Sequence, residues 1–233
     1  YCRVSDKKGI DSFENQKQYF NEFGVEKLYT DFRANKLLLN PPFSFKENGM
    51  PFIEFGLNKM EKGGLGAIII QDSAGSGKAV NTNKKILKNH TLKASIKMPV
   101  DLFQPMAGVQ TSIYIFEAHK PHDFEQTVKF IDFRDDGYKR TSRTLQEINE
   151  PTQRYQDIIK IYKAGLNAKV EANWKINEVY IEDFITQNGA DWNFDQHKII
   201  NSKPTLEDFK KTVSDYLSWE VSNILRQKGI EGK

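Results

Sequence analysis

The stretch LLLNPPFSF, Leu37–Phe45, runs from an apolar segment into an asparagine, two prolines and an aromatic residue. Residues 36–39 (KLLL) predict a short buried strand that stops at Pro41 and Pro42, because proline cannot donate a hydrogen bond to a sheet ladder. Asn40 then follows the carboxyl end of that strand, which is where open α/β sheets bind their ligands. The stretch therefore predicts a strand with a ligand site at its end.

The residue types at this strand end suit the recognition of an amino group on a flat ring. The Asn40 side chain and the peptide carbonyl of Pro41 offer two acceptors, and the prolines hold that backbone in one conformation. Two such acceptors can bind both protons of an exocyclic amine, and Phe43 can stack on the ring that carries it. The alternative is structural: a proline turn ends the strand, with Asn40 as a turn residue and Phe43 in the core.

Outward from this stretch, the apolar residues alternate between helical and strand spacing. We predict helices at Met50–Met60 and Asn83–Asn89, and strands at Ala67–Gln71, Leu92–Met98, Thr111–Ala118 and Val128–Phe133. This order predicts an α/β fold, in which a sheet carries helices on its faces and an antiparallel hairpin at one edge. Strands 36–39 and 67–71 are expected to be adjacent, parallel and almost fully buried, and residues 111–116 to run antiparallel to a neighbour.

The sequence changes in character from about Thr144, where the regular strand pattern ends. One helix is predicted within Glu147–Tyr162, and a long helix is predicted to start at the cap residue Thr205 and end at Gly229. We therefore expect three parts: an N-terminal fragment at 1–31, a central sheet domain at 32–143 and a mostly helical extension at 144–233.

Composition excludes several classes of protein. The single cysteine, Cys2, rules out an intrachain disulfide framework and a cysteine-rich zinc site. The sequence has neither an apolar run long enough to cross a bilayer nor a signal-peptide pattern, so we expect a cytoplasmic protein without a membrane partner.

The charge balance is mild, but the basic residues are clustered. The chain has 34 Lys and Arg against 31 Asp and Glu, a net charge of +3, which by itself does not indicate a nucleic-acid partner. Basic residues gather between Lys78 and Lys97 and again just after Tyr138. Such a cluster is either a solvated face or a set of phosphate contacts. The candidate DNA-binding residues are Lys78, Lys84, Lys85, Lys139, Arg140 and Arg143.

Residues 37–143 resemble the later part of adenine-specific DNA methyltransferases, above all the modification subunits of type I restriction-modification systems. That family carries an Asn-Pro-Pro-Phe box after a strand, and Asn40, Pro41, Pro42 and Phe43 match it. The segments FIEFGLNKMEKGGLGAIIIQ, MPVDLFQPMAGVQTSIYIF and VKFIDFRDDGYKRTSR match the helix, strands and loops that follow the box. The resemblance implies a partial Rossmann-like methyltransferase sheet.

The resemblance also implies a chemistry. A methyl group would pass from S-adenosylmethionine to the amino group of an adenine that has been flipped out of the duplex. Asn40 and the Pro41 carbonyl would bind the amine, and Phe43 would stack on the flipped ring. No metal is expected, because the sulfonium of the cofactor is already a good leaving group. DNA is the implied substrate, and specificity and restriction subunits are candidate partners.

The cofactor motif of that family is not matched in this sequence. The motif needs a glycine-rich turn upstream of the box, yet 39 residues precede Asn40 and their glycines, Gly9 and Gly24, are isolated. We therefore expect a base-binding half that is truncated and inactive alone. The loop SAGSGKAV at 73–80 lacks the first glycine and the Ser or Thr of a phosphate loop, so we expect it to contact DNA instead of a nucleotide.

Residues 1–31 resemble a different class of DNA enzyme, the serine recombinases. In that family an arginine and a nucleophilic serine lie on the first strand, and Arg3 and Ser5 match them. Ser5 could attack a DNA phosphate while Arg3 steadies its oxygens, or the segment could be a strand and a helix without chemistry. The alternatives to a methyltransferase are thus a recombinase fragment and a non-catalytic DNA-binding or assembly remnant.

Overall fold

The structure is a computed structural model that describes residues 34–198 and 206–230. The chain divides into two compact units, residues 1–198 and residues 199–233. The strands are β1 (Lys36–Leu39), β2 (Leu65–Gln71), β3 (Thr91–Lys97), β4 (Thr111–Glu117), β5 (Val128–Asp132), β6 (Tyr138–Arg140), β7 (Leu145–Glu147) and β8 (Tyr180–Asp183). The helices are α1 (Met50–Lys59), α2 (Val80–Asn89), α3 (Pro151–Ala164), α4 (Ile176–Val179), α5 (Phe194–His197) and α6 (Leu206–Ile230).

A six-stranded mixed sheet with the order β1-β2-β4-β3-β5-β8 forms the centre of the first unit. β1 and β2 are adjacent and parallel, as predicted, with Leu38 opposite Ala67. β4 runs antiparallel to both β2 and β3, and β3 is parallel to β5. The carboxyl ends of β1, β2, β3 and β5 therefore lie along one edge of the sheet.

The α/β fold class is confirmed, and two details of the sheet differ from the prediction. The antiparallel strand β4 lies inside the sheet, while the edge beyond β5 is formed by β8, antiparallel to it. β1 is not buried, because it is the outer strand of the described sheet and pairs on one side with β2. Leu38 on this strand is 85% exposed.

The main core lies where α1 and α2 cover one face of the sheet. Side chains of β2 alternate between buried and half-buried, and Ile68 and Ile70 are fully buried in this core. Ile53 and Leu57 of α1 pack over Gly66, where an added Cβ would lie 2.8 Å from the Leu57 side chain. A second apolar cluster lies between β5, β8 and α3, and it contains Ile131, Ile161, Ala168 and Tyr180.

The segment after residue 143 continues the first unit up to Lys198. Its strand β8 completes the main sheet, and its helix α3 begins at Pro151, four residues later than the predicted start at Glu147. Proline fits the first turn of a helix, since its missing N–H would have no partner there. β6 and β7 form a separate two-stranded hairpin.

The described part of the second unit is the single helix α6, which ends one residue after the predicted Gly229. Its apolar side chains are exposed, among them Leu206, Phe209, Val213, Leu217 and Val221. Within the residues that the structure describes, every helix is too short or too polar to pass through a lipid bilayer.

Candidate active site

Asn40 lies directly after β1, at the edge of the sheet where the parallel strands end. Its side chain is exposed, and within residues 34–198 and 206–230 it makes no hydrogen bond. A structural turn asparagine normally bonds the backbone nearby. The Asn40 amide is instead available to a ligand, next to Pro41, which is buried.

Phe43 is half-buried and lies against a second aromatic ring. The ring centroids of Phe43 and Phe103 are 5.1 Å apart, and the planes meet at 85°, an edge-to-face contact. Phe103 belongs to the loop between β3 and β4. Sequence reasoning did not single it out, although it lies in the MPVDLF segment that carries the family resemblance.

The turn after the box (residues 40–43) is held in an unusual backbone conformation. Glu47, Asn48 and Gly49 have φ angles of 53°, 54° and 92°. Gly49 also packs on the box, since a Cβ added there would lie 2.8 Å from Cγ of Pro41. Such backbone strain persists where the surroundings over-determine it, and it is frequent at functional sites.

Two hydrogen bonds fix this turn to neighbouring elements. The Asn48 amide donates to the hydroxyl of Ser73 at 2.7 Å, and Ser73 follows β2. The Thr82 hydroxyl on α2 donates to the Glu47 carboxylate. The box, the end of β2 and α2 are thereby joined into one assembly.

A shallow cavity of about 380 Å³ opens at the end of β2. Its lining residues are Gln71, Asp72, Ser73, Ser76, Val109 and Gln110. Because β1 neighbours β2 and Asn48 bonds Ser73, this cavity lies beside the box. Side-chain and backbone donors and acceptors are thus concentrated where two parallel strands end.

Asp72, at the rim of this cavity, is the centre of a network that spans the carboxyl edge. Its carboxylate accepts hydrogen bonds from Ser112 at 2.5 Å and from Asn193 at 2.9 Å, and it lies 3.4 Å from the ammonium of Lys97. Lys97 is 2.5 Å from Asp195, whose other oxygen lies 3.2 Å from Arg134. Sequence reasoning found none of these long-range partners.

The network settles the role of Lys97. Its side chain is 8% exposed and is held by two carboxylates, so Lys97 is not available to contact a phosphate. Burial alone would raise the pKa of Asp195, but the hydrogen bond and charge of Lys97, followed by the charge of Arg134, hold that pKa below its usual value. The lowered pKa keeps the Asp195 carboxylate charged at neutral pH.

The glycine-rich loop after β2 is closed by side chains of the chain itself. A Cβ at Gly75 would lie 2.3 Å from the hydroxyl of Tyr114 and 2.5 Å from Oδ1 of Asn193. The space above this glycine is therefore filled by protein and cannot cradle a cofactor. No other glycine-rich turn follows a strand at this edge of the described sheet. This loop therefore does not hold S-adenosylmethionine.

Three predicted DNA-binding lysines lie on the loop and helix that follow β2. Lys78, Lys84 and Lys85 are all exposed. α2 is fixed beneath them by Asn83, whose amide donates to the carbonyls of Ala74 at 2.9 Å and Gly189 at 2.7 Å. The structure therefore presents these cations to solvent on a rigid support.

The three predicted residues of the second basic cluster differ from one another. Lys139 and Arg143 are exposed on the hairpin, whereas Arg140 is bound by Asp136 at 2.5 Å and Asp101 at 3.4 Å. Burial would lower the pKa of Arg140, but the hydrogen bond and charge of Asp136 raise it above its usual value. Arg140 is thus engaged within the protein.

A family model described as "N-6 DNA Methylase" matches residues 8–208. The chain belongs to this family. A curated relative, the type II restriction enzyme and methyltransferase RM.BcgI of Heyndrickxia coagulans, is 27% identical over 208 residues, which cover 85% of this chain and 31% of that protein. The chain thus spans about a third of the length of this relative.

Two solved structures share the fold of this N-6 DNA methylase family member. A structure from a study of the type I R-M system has a TM-score of 0.50 and 14% identity, covering 85% of this chain and 45% of that one. The type I restriction-modification methyltransferase subunit from Streptococcus thermophilus has a TM-score of 0.53 and 14% identity, covering 72% and 39%. The resemblance to this class of fold is confirmed.

The recombinase resemblance of residues 1–31 receives no support from these comparisons. The N-6 DNA methylase match begins at residue 8, within that segment. Arg3 and Ser5 lie outside the described residues.

Proposed function

We propose that this chain supplies the base-binding part of a DNA adenine-N6 methyltransferase of a restriction-modification system. One observation carries the proposal: at the carboxyl end of β1 the Asn40 amide is exposed and makes no hydrogen bond to the described residues, beside a Pro41 that Gly49 holds in place. Family membership supports the same class of substrate.

The base is recognised through its amino group and its ring. Oδ1 of Asn40 accepts one N–H of the adenine amine, and the carbonyl of Pro41 accepts the other. Two acceptors bind the amine, which has two donors, and they stabilise the positive charge that develops on nitrogen as it becomes alkylated. Phe43 stacks on the adenine ring, with Phe103 edge-on behind it.

We assign this chain a role in binding the base and none in binding the cofactor. Because the loop at Gly75 is filled by Tyr114 and Asn193, this loop does not hold S-adenosylmethionine, and we infer that the cofactor needs a separate glycine-rich turn that the described residues lack. We infer that the isolated chain is inactive for this reason. A non-catalytic DNA-binding role is the alternative, and the closed loop is the observation that favours it.

DNA is the partner that the basic residues favour. Lys78, Lys84 and Lys85 lie on elements joined to the box through Ser73 and Thr82, so a duplex with its base in the box would pass close to them. Phosphate contacts of this kind set position and affinity without reading sequence. Specificity and restriction subunits are proposed as further partners, by analogy with type I systems.

The proposal is tested on DNA from a host that lacks adenine methylation and expresses this chain joined to the cofactor-binding half of an adenine methyltransferase. N6-methyladenine is measured by mass spectrometry. Asn40→Ala should lower its content at least a hundredfold, since a preorganised acceptor for the reacting group contributes about 2.7–4 kcal/mol in the transition state. Lys169→Gln, an exposed change, is the matched control. Absence of N6-methyladenine with the unaltered fusion, in a preparation that binds S-adenosylmethionine, would overturn the proposal.

A further inference from the structure

The β6–β7 hairpin stands out from the protein surface. All residues from 141 to 148 are exposed. The stretch 138–146 contains the three cations Lys139, Arg140 and Arg143 and no acidic residue, and its turn carries the hydroxyls of Thr141, Ser142 and Thr144. Leu145 is 63% exposed although it is apolar. The hairpin thus carries three cations and one acid, Glu147, and the side chains of Lys139, Arg143 and Leu145 have no partner among residues 34–198 and 206–230.

The base of the hairpin is firmly held. The backbone N–H groups of Ile148 and Asn149 donate to the carbonyl of Gly137 at 2.8 and 3.1 Å. Gly137 has a φ of 85°, and a Cβ there would lie 2.4 Å from the carbonyl oxygen of Asn149, so this turn requires glycine. The buried Asp136 carboxylate accepts from the Tyr138 N–H at 3.1 Å and the Tyr155 hydroxyl at 2.9 Å. The hairpin therefore projects on a rigid support.

The hairpin is tied to the loop that carries the second aromatic ring of the candidate site. The backbone N–H of Arg140 donates to Asp101 at 2.8 Å, and its guanidinium lies 3.4 Å from the other oxygen. Two residues after Asp101, Phe103 contacts Phe43. A ligand whose adenine occupies the box thus has its flanking parts beside the hairpin.

We propose that the β6–β7 hairpin enters a groove of the duplex next to the flipped adenine. The major groove admits a two-stranded β-ribbon, and Arg or Lys side chains on such a ribbon reach phosphates or guanine edges. Lys139 and Arg143 supply these cations, and Leu145 lies against apolar base surface such as a thymine methyl group. The inference rests on the proposed function, because it takes DNA as the ligand of the box.

Arg140 has a different role from its two basic neighbours. Its guanidinium is neutralised by Asp101 and Asp136, so it does not contact phosphate but positions the Asp101 loop relative to the hairpin. These two ion pairs occupy Arg140 in place of the phosphate contact predicted for it from sequence.

The first experiment measures the affinity of the 233-residue chain for a 30-base-pair mixed-sequence duplex by fluorescence anisotropy at several salt concentrations. Lys139→Gln combined with Arg143→Gln should weaken binding at least tenfold at 0.1 M salt, and lower the slope of log affinity against log salt by about 2, since each lost phosphate contact removes about 0.9. The control, Lys163→Gln with Lys169→Gln, removes two exposed charges, one near the end of α3 and one after that helix. It should leave the affinity and the salt slope unchanged.

The second experiment tells groove entry from backbone contact. In a Cys2→Ser background, Ser142→Cys carries a photo-crosslinker, and Lys169→Cys carries the same reagent as a control. The proposal expects adducts on bases from position 142 and none from position 169. Adducts confined to phosphate and sugar, or a double variant that binds like the unaltered chain, would overturn the inference while leaving the proposed function intact. Failure of the unaltered chain to bind duplex would overturn both.

Discussion

The ring of Phe43 meets the ring of Phe103 edge to face, at a centroid distance of 5.1 Å. This contact joins the box after β1 to the loop between β3 and β4, two segments about sixty residues apart in sequence. It fixes the orientation of Phe43 while leaving the ring half-exposed. A base entering the site would thus meet a ring that is already placed.

Changes at Phe43 should affect base capture through stacking alone. Phe43→Ala should weaken binding of a duplex with an unpaired adenine by about 1–3 kcal/mol, and Phe43→Trp should retain most of it, because stacking needs only a π face. Affinity is measured by anisotropy with a duplex that places adenine opposite an abasic site. Equal losses for the alanine and tryptophan variants would argue against stacking.

Gly49 combines a left-handed backbone with close packing on Pro41, and Gly63 allows the two effects to be separated. Gly63 has a φ of 80° and nothing within 4 Å of an added Cβ. Gly63→Ala should therefore lower the free energy of unfolding by about 1–2 kcal/mol, the cost of the backbone conformation. Gly49→Ala should cost more, and urea unfolding of both variants makes the comparison. An equal loss would mean that Pro41 moves away from the added Cβ at no cost in free energy.

The closed loop at Gly75 leads to a prediction about the cofactor. The isolated chain should bind S-adenosylmethionine weakly or not at all, because Tyr114 and Asn193 fill the space that a cofactor would need. Isothermal titration calorimetry checks this directly. Micromolar affinity would show that other residues of the chain form a cofactor site.

His90 should make the fold sensitive to mild acid. Its Nδ1 accepts from the His119 N–H at 3.0 Å, and burial, followed by the charge of His119, lowers its pKa from 6.5 to about 4. The unfolded chain then binds a proton more readily, so stability is complete above pH 6.5 and falls as the pH drops toward 4. The full loss is about 3 kcal/mol.

The pH prediction is measured by urea unfolding at pH 7.5 and pH 5. The unaltered chain should lose about 2 kcal/mol over this interval from His90. His90→Gln should lower stability at pH 7.5 but show a smaller difference between the two pH values. His122, whose pKa is also lowered by burial, keeps its share in both proteins. An unchanged pH difference in the variant would contradict the assignment to His90.

Local patterns in the sequence predicted the elements and the place of the box. The run KLLL and the prolines after it locate β1, and continuous apolar letters locate β2, because both signals act within a few residues. The exposure of Leu38 was missed, since burial of a strand depends on its neighbours in the sheet and not on its own letters.

Contacts between residues that are distant in sequence could not be predicted. Asn193 bonds Asp72 across 121 positions, and Arg140 meets Asp101 across 39. From sequence, a basic residue near a predicted DNA site is interpreted as a phosphate contact. The carboxylates that bind Arg140 become visible only in the fold. The role of Phe103 could have been predicted, because it is an aromatic residue in the MPVDLF segment that carries the family resemblance.

The most direct test of the central claim is a binding cycle between Asn40 and the amino group of the base. Two duplexes place either adenine or purine, which lacks the 6-amino group, opposite an abasic site, and anisotropy gives the affinity of the chain for each. The unaltered chain should prefer adenine about tenfold or more, the value of one or two hydrogen bonds. Asn40→Ala should reduce this preference to the share of the Pro41 carbonyl while leaving the affinity for the purine duplex unchanged, and Asn167→Ala, another exposed asparagine, should keep it in full. A preference for adenine that is undiminished in Asn40→Ala would contradict the claim that Asn40 binds the amine.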